Sequence, residues 1–158
     1  MGAWTWQFVL ARLAAAGHEA RAHSFPGVGE RAAELTPALD NDAFLADTLA
    51  LIEREDLSDL VLVGHSFGSL IASLVTDRVP ERIGHLVIID GGIAQDGQSI
   101  FGRIPREIVA KRQKLVQVVN GTEVLPFAPV GSLIIDDPAL AAWTHRQNFF
   151  SAVSSRCW

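Results

Sequence analysis

A single cysteine, Cys157, stands in the 158 residues, so no internal disulfide can form and a reducing compartment suits the chain. No apolar stretch reaches the ~20 residues that a membrane span needs, because the charged residues are spread widely along the sequence. An excess of positive charge is also lacking. Thirteen Lys and Arg against 18 Asp and Glu leave a net charge of −5, which gives no general attraction for phosphate backbones or anionic lipid. Nucleic acid and membrane are therefore not expected as partners. There are no internal repeats, no low-complexity tract and no His/Asp/Glu cluster at metal-ligand spacing, so no metal or cofactor is expected. A secretory signal is missing too. The stretch from Met1 to Ala16 is apolar and ends in small residues, but no basic residue precedes it, and Gln7 and Arg12 interrupt it. An amphipathic helix explains it better, and the protein reads as cytoplasmic. Hydrophobic residues make up 49% of the chain, enough for one globular domain with a core.

The spacing of Trp6, Val9, Leu10 and Leu13 predicts a helix from Trp4 to Ala16, stopped by Gly17. His18 to Phe25 alternates in polarity and predicts a short strand, which Pro26-Gly27-Val28-Gly29 breaks; a polar loop then runs to Asp40. Asn41 and Asp42 are expected to cap a helix carrying Phe44, Leu45, Leu49, Leu51 and Ile52, ending near Glu55. Leu60-Val61-Leu62-Val63 and Leu86-Val87-Ile88-Ile89 are continuous apolar runs, the pattern of strands covered on both faces. A helix to about Arg78 lies between them. Strand and helix in alternation imply an α/β fold with a parallel sheet. From Gln95 to Trp158 four prolines and short apolar segments imply a mostly helical lid and tail.

Between the first apolar run and its helix lies Gly64-His65-Ser66-Phe67-Gly68. A serine hydroxyl is a poor nucleophile and must be presented at a sharp strand-to-helix turn where a base can reach it. The flanking glycines would let that turn take strained angles without collision. The helix that follows aims its N-terminus at the site, where negative charge develops, and the Phe67 N–H would serve as an oxyanion donor. A Gly-x-Ser-x-Gly match alone is only suggestive; an apolar strand just before it and a helix just after sharpen it.

Taken together, Gly2-Ala3-Trp4, Gly27-Val28-Gly29-Glu30-Arg31, Val61 to Gly68 and Val79-Pro80-Glu81-Arg82-Ile83 resemble the α/β-hydrolases. The nearest group is the small esterases related to plant methyl-ester hydrolases and hydroxynitrile lyases, including bacterial members. The resemblance runs in order over most of the first hundred residues and continues weakly at Asp96-Gly97-Gln98-Ser99. It implies a partial α/β-hydrolase fold, a mostly parallel sheet core with a helical lid. Residues 1–94 would form the partial core with its nucleophile elbow, and residues 95–158 the lid-like segment and tail. The implied activity is hydrolysis of a small carboxylic ester. Ser66 would be the nucleophile, with the N–H groups of Phe67 and Ala3 as oxyanion donors. In relatives a His-Gly pair ends an earlier strand ahead of that second donor, whereas Met1 stands where the histidine would be.

In the family the acid and the histidine come late, after the lid, so the resemblance implies a chain truncated at both ends and an impaired triad. It also implies that a central strand is missing between the 18–25 strand and the Leu60 strand, which leaves two edges unpaired. Among residues present, Asp90 is the acid candidate, since it ends the strand after the elbow strand; shaping the Gly91-Gly92 loop is its alternative role. His145 is the base candidate, on a helix-like stretch near Trp143. His85 precedes its strand and belongs at the opposite end of the sheet, His65 fixes the turn or lines the pocket, and His18 and His23 are strand-end residues. Trp143, Phe101 and Phe127 are candidate pocket walls or ordinary packing. Two other classes compete with this reading. Gly27-x-Gly29-x-x-Ala32 matches a dinucleotide fingerprint, but Pro26 separates strand from glycines and no acidic residue ends a second strand about twenty positions on. A non-catalytic, degenerate relative of the hydrolases is the remaining alternative, and a lyase reaction is not separable from ester hydrolysis on these residues.

Overall fold

In the computed structural model, which describes residues 2–93, 104–119, 121–125 and 135–146, the N-terminal stretch winds first into a 3-10 turn, Ala3–Trp6, and then into α1, Gln7–Ala15. Gly17 ends it with φ +83°, and the His18 N–H reaches back to the Leu13 carbonyl at 3.0 Å. This is the left-handed stop that glycine takes without a Cβ penalty. The described residues fall into two units, one within Met1–Pro37 and Arg112–Ser155, the other within Ala38–Lys111.

In the first unit, the strand expected over 18–25 does not form. Its inward side chains, Ala20, Ala22 and Ser24, offer little apolar area to hold it on a sheet. Side-chain bonds organise it instead. Ser24 is buried, its hydroxyl accepts the Ala3 N–H at 2.5 Å, and its carbonyl accepts from Arg31 Nη1 at 3.0 Å. Arg31 is itself held by Glu34 through two contacts of 2.7 and 2.8 Å. Phe25-Pro26-Gly27-Val28 is a type II turn. The Val28 N–H bonds to the Phe25 carbonyl at 3.1 Å, and Gly27 takes φ +78° at the position that needs it. Gly29–Glu34, expected as loop, is 3-10 helix kinked at Arg31. The glycines of the dinucleotide-like pattern thus serve a turn and a close approach of Gly29 to Gly2.

The stretch expected to be mostly helical also contains strands. β3 (Gln117–Val119) and β4 (Thr122–Val124) pair antiparallel, with Gly121 at φ +75° between them and Thr122 and Val124 buried. α5, Pro138–Arg146, is capped by Asp137, whose carboxylate accepts the N–H groups of Ala139 and Leu140 at 2.8 and 3.1 Å. Trp143 of α5 meets Trp4 at 5.3 Å and Phe8 at 5.7 Å, both edge to face.

In the second unit, α2 spans Asn41–Arg54, and its cap is Asp40, one residue earlier than expected: Asp40 is extended and accepts the Ala43 N–H at 2.9 Å. Phe44, Leu45 and Ile52 line its buried side. β1 (Leu60–His65) and β2 (Ile83–Ile89) pair in parallel, with Val63 beside Val87 and His65 beside Ile89. The connection between them is α3, Gly68–Arg78, which packs on both strands and on α2 through Leu70, Ile71, Ala72 and Val75. Pro80 opens a short 3-10 turn ahead of β2, as a residue without an N–H can. Among the described residues the apolar strand runs are covered on one face only. On the other, Val61 is 62% exposed and Ile89 43%. A continuous apolar run signals capacity for burial on both sides, and here α3 uses one of them. A fourth helix, α4, spans Arg106–Gln113.

Candidate active site

The strongest sequence motif falls at the bend between β1 and α3, where the left-handed angle belongs to the serine itself. Ser66 has φ +51°, whereas neither Gly64 nor Gly68 has a positive φ. The flanking glycines are expected to let the turn take strained angles without collision, and at Gly64 the reason is space. A Cβ there would lie 2.7 Å from Ser69 Cα, 2.8 Å from the Gly68 carbonyl oxygen and 2.9 Å from Ser69 N. Gly68 has nothing within 4 Å of its would-be Cβ. A non-glycine residue in the left-handed region costs about 1–2 kcal/mol and persists where its surroundings over-determine it.

Those surroundings can be named. The Ser66 N–H donates to the Ile89 carbonyl at 3.1 Å, which ties the bend to the end of β2. The Ser66 carbonyl accepts the Ser69 N–H at 3.1 Å. The Ser69 hydroxyl, fully buried, donates to the Gly64 carbonyl at 3.1 Å. Phe67 stands at the N-cap of α3, its ring edge to face with Phe44 of α2 at 5.9 Å. The residue proposed as oxyanion donor is thus anchored in the core by its side chain, while its N–H lies at the positive end of the helix. Ser66 itself is exposed, and its hydroxyl makes no hydrogen bond among the described residues.

The parallel register carries one step further. His65 sits beside Ile89, so Ser66 and Asp90 are the first residues beyond neighbouring strand ends, on strands about 4.8 Å apart. Asp90 is left-handed as well, at φ +43°, and exposed. His85 pairs with Val61 at the other end of the strands, about 16 Å from the level of Ser66 by the strand rise. Ala3, His145 and Trp143 belong to the first unit. There the Ala3 N–H is donated to Ser24 Oγ, and His145 lies in α5 with its side chain outside the described residues. Phe101 and Phe127 also fall outside the described residues, as does Cys157. Sequence reasoning missed Ser24 and Ser69. Both are buried serines, and only the residue spacing around Gly64-x-Ser66-x-Gly68 hinted at the second.

Among the described residues no group of three His, Cys, Asp or Glu gathers to hold a metal ion, and no helix is long and apolar enough to cross a membrane. The family model described as "Alpha/beta hydrolase family" matches residues 1–156. A carbendazim-hydrolysing esterase of Nocardioides sp. (strain SG-4G) is 33% identical over 107 residues, covering 68% of this chain and 44% of that protein. Esterase PIR7B of Oryza sativa subsp. japonica is 34% identical over 91 residues, covering 56% of this chain and 34% of that protein. The chain therefore spans less than half the length of these two relatives. Among solved structures, an extracellular α/β-hydrolase from a Paenibacillus species aligns with 99% of this chain and 65% of its own, at a TM-score of 0.80 and 21% identity, a likeness of fold.

Proposed function

The chain belongs to the α/β-hydrolase family, and from that premise we propose that it attacks a small carboxylic ester with Ser66 as nucleophile. The observation that carries the reading is the bend: an exposed, left-handed serine between an apolar strand and a helix N-terminus, fastened from below by its own backbone and by Ser69. In the proposed step the Ser66 oxygen bonds to the ester carbonyl carbon while its proton passes to a base. The oxyanion is received by the Phe67 N–H at the head of α3, with Ala3 as the second donor the resemblance assigns. The alcohol leaves with a proton, and water then releases the acid from the serine. Asp90, next to Ser66 across the sheet, is the acid in this assignment, and His145 the base.

We further propose that acylation by this chain is slow. The Ser66 hydroxyl has no hydrogen-bonded base among the described residues, and Asp90 and His145 stand in for an acid and histidine that the family places after the lid. An oxyanion site and binding without the full triad retain about 10³–10⁴-fold over water, far less than the complete machinery. A cytoplasmic setting fits a sequence with one cysteine. The test is labelling with a fluorophosphonate, in which the Ser66 oxygen displaces fluoride from phosphorus. Stoichiometric labelling of Ser66, lost in Ser66→Ala, supports the reading. No labelling at neutral pH refutes it and leaves the non-catalytic relative standing.

A further inference from the structure

Among the described residues Ser69 is the polar side chain fully buried at the bend. Its position is determined from three sides. Above it, its hydroxyl donates to the Gly64 carbonyl at 3.1 Å and its N–H to the Ser66 carbonyl at 3.1 Å. Beside it, Gly64 comes so close to its backbone that no Cβ fits between them. Across the sheet, a Cβ on Gly91 would fall on Ser69 Oγ and Cβ, and lie 2.9 Å from the Ser66 carbonyl oxygen. The serine therefore fills the gap that Gly91 leaves, between the loop after β2 and the strand end before Ser66. Burial is expensive for a hydroxyl that packing alone does not require, and an alanine would fill nearly the same space. What the hydroxyl adds is a bond to the carbonyl of the last close-packed residue before the bend.

We propose that Ser69 is a positioning residue for the nucleophile: through the Gly64 carbonyl on one side and Gly91 on the other, it fixes the left-handed bend on which Ser66 stands. The inference rests on the role proposed for Ser66, and its test separates the two. The maximal rate and half-saturating concentration of fluorophosphonate labelling are measured for the wild type, Ser69→Ala and Ser69→Cys, with thermal melts to confirm folding. Cysteine is slightly larger and keeps a weak donor. Amide exchange at Ser66 and Ser69 is followed in the same proteins.

Loss of one hydrogen bond that restrains a strained turn is expected to lower the maximal labelling rate about tenfold in Ser69→Ala, with half-saturation unchanged and Ser69→Cys in between. Exchange at the two amides should rise by a similar factor while the α2 amides hold still. A wild type that labels while Ser69→Ala labels at the same maximal rate overturns the inference, even if the melting temperature falls, since a merely structural serine would move only the latter. If the wild type does not label, the reading of Ser66 fails, and exchange alone decides: unmoved amides in Ser69→Ala overturn the positioning role and faster ones uphold it.

Discussion

Gly64→Ala should be among the most damaging single-methyl additions to this chain. The added Cβ would sit 2.7, 2.8 and 2.9 Å from Ser69 Cα, the Gly68 carbonyl oxygen and Ser69 N. Carbon contacts relax at about 3.5–4.0 Å, so the start of α3 must retreat by the better part of an ångström. All three neighbours are backbone, and no side chain can swing aside. Retreat also stretches the Ser69–Gly64 bond and the Ser69 N–H to Ser66 bond, both already at 3.1 Å. Overpacking a tight site costs about 1–3 kcal/mol, and rigid backbone contacts put this one at the upper end, about 3 kcal/mol. With a urea slope of about 1.5 kcal/mol per molar, the unfolding midpoint should drop by about 2 M. The companion variant is Gly68→Ala, at the first position of α3 with open space around it. Alanine is favoured over glycine in a helix by about 0.5–1 kcal/mol, so its midpoint should rise. Opposite signs at the two glycines of one motif are the diagnostic result. A Gly64→Ala midpoint within about 0.3 M of wild type would refute the claim that this glycine is there for space.

Three further outcomes follow from the same unit. Phe44→Ala removes a ring that is 1% exposed and edge-on to Phe67, and should cost about 3–5 kcal/mol in urea unfolding. Because the lost ring braces the residue after Ser66, labelling of Ser66 should slow in whatever fraction stays folded. Asp40→Ala deletes the side chain that accepts the Ala43 N–H and should cost about 1 kcal/mol, whereas Asp40→Ser should recover most of it. At Asp90, φ is +43°, a conformation that Asp and Asn tolerate and β-branched residues do not. Asp90→Asn should leave the melting temperature near wild type, and Asp90→Val should lower stability by about 1–2 kcal/mol; equal melts for the two would refute the backbone argument.

Much of the second unit was legible because its signals are local. The apolar runs of β1 and β2, the three-and-four spacing in α2 and the Gly-x-Ser-x-Gly bend are each local signals, and the elements formed within three residues of expectation. The cap moved one residue, from Asn41 to Asp40, since either polar side chain reads the same before an apolar helix. Elsewhere the deciding partner lay outside the window. Alternation over 18–25 needs a neighbouring strand to become a ladder, and without one the segment was taken up by Ser24 and Arg31. The hairpin of β3 and β4 was signalled by Asn120-Gly121, a strong turn pair that short strands of three residues left easy to overlook.

The site shows where sequence logic stops. The pattern Gly64-x-Ser66-x-Gly68 names a bend and a hydroxyl, and both are found, yet it says nothing of which residue bears the strain. A motif written as spacing treats its two glycines alike. In space one faces backbone at van der Waals contact and the other faces nothing, while the serine between them takes the left-handed angle. A strained serine persists only if something beneath it is firmer than the strain. Here that support is a second serine three residues on, locked between Gly64 and Gly91, the latter from the end of the neighbouring strand. Reactivity at this bend would then depend on a residue that never meets the substrate, and the length of sequence needed to specify it runs from Leu60 to Gly91 rather than over the five residues of the motif.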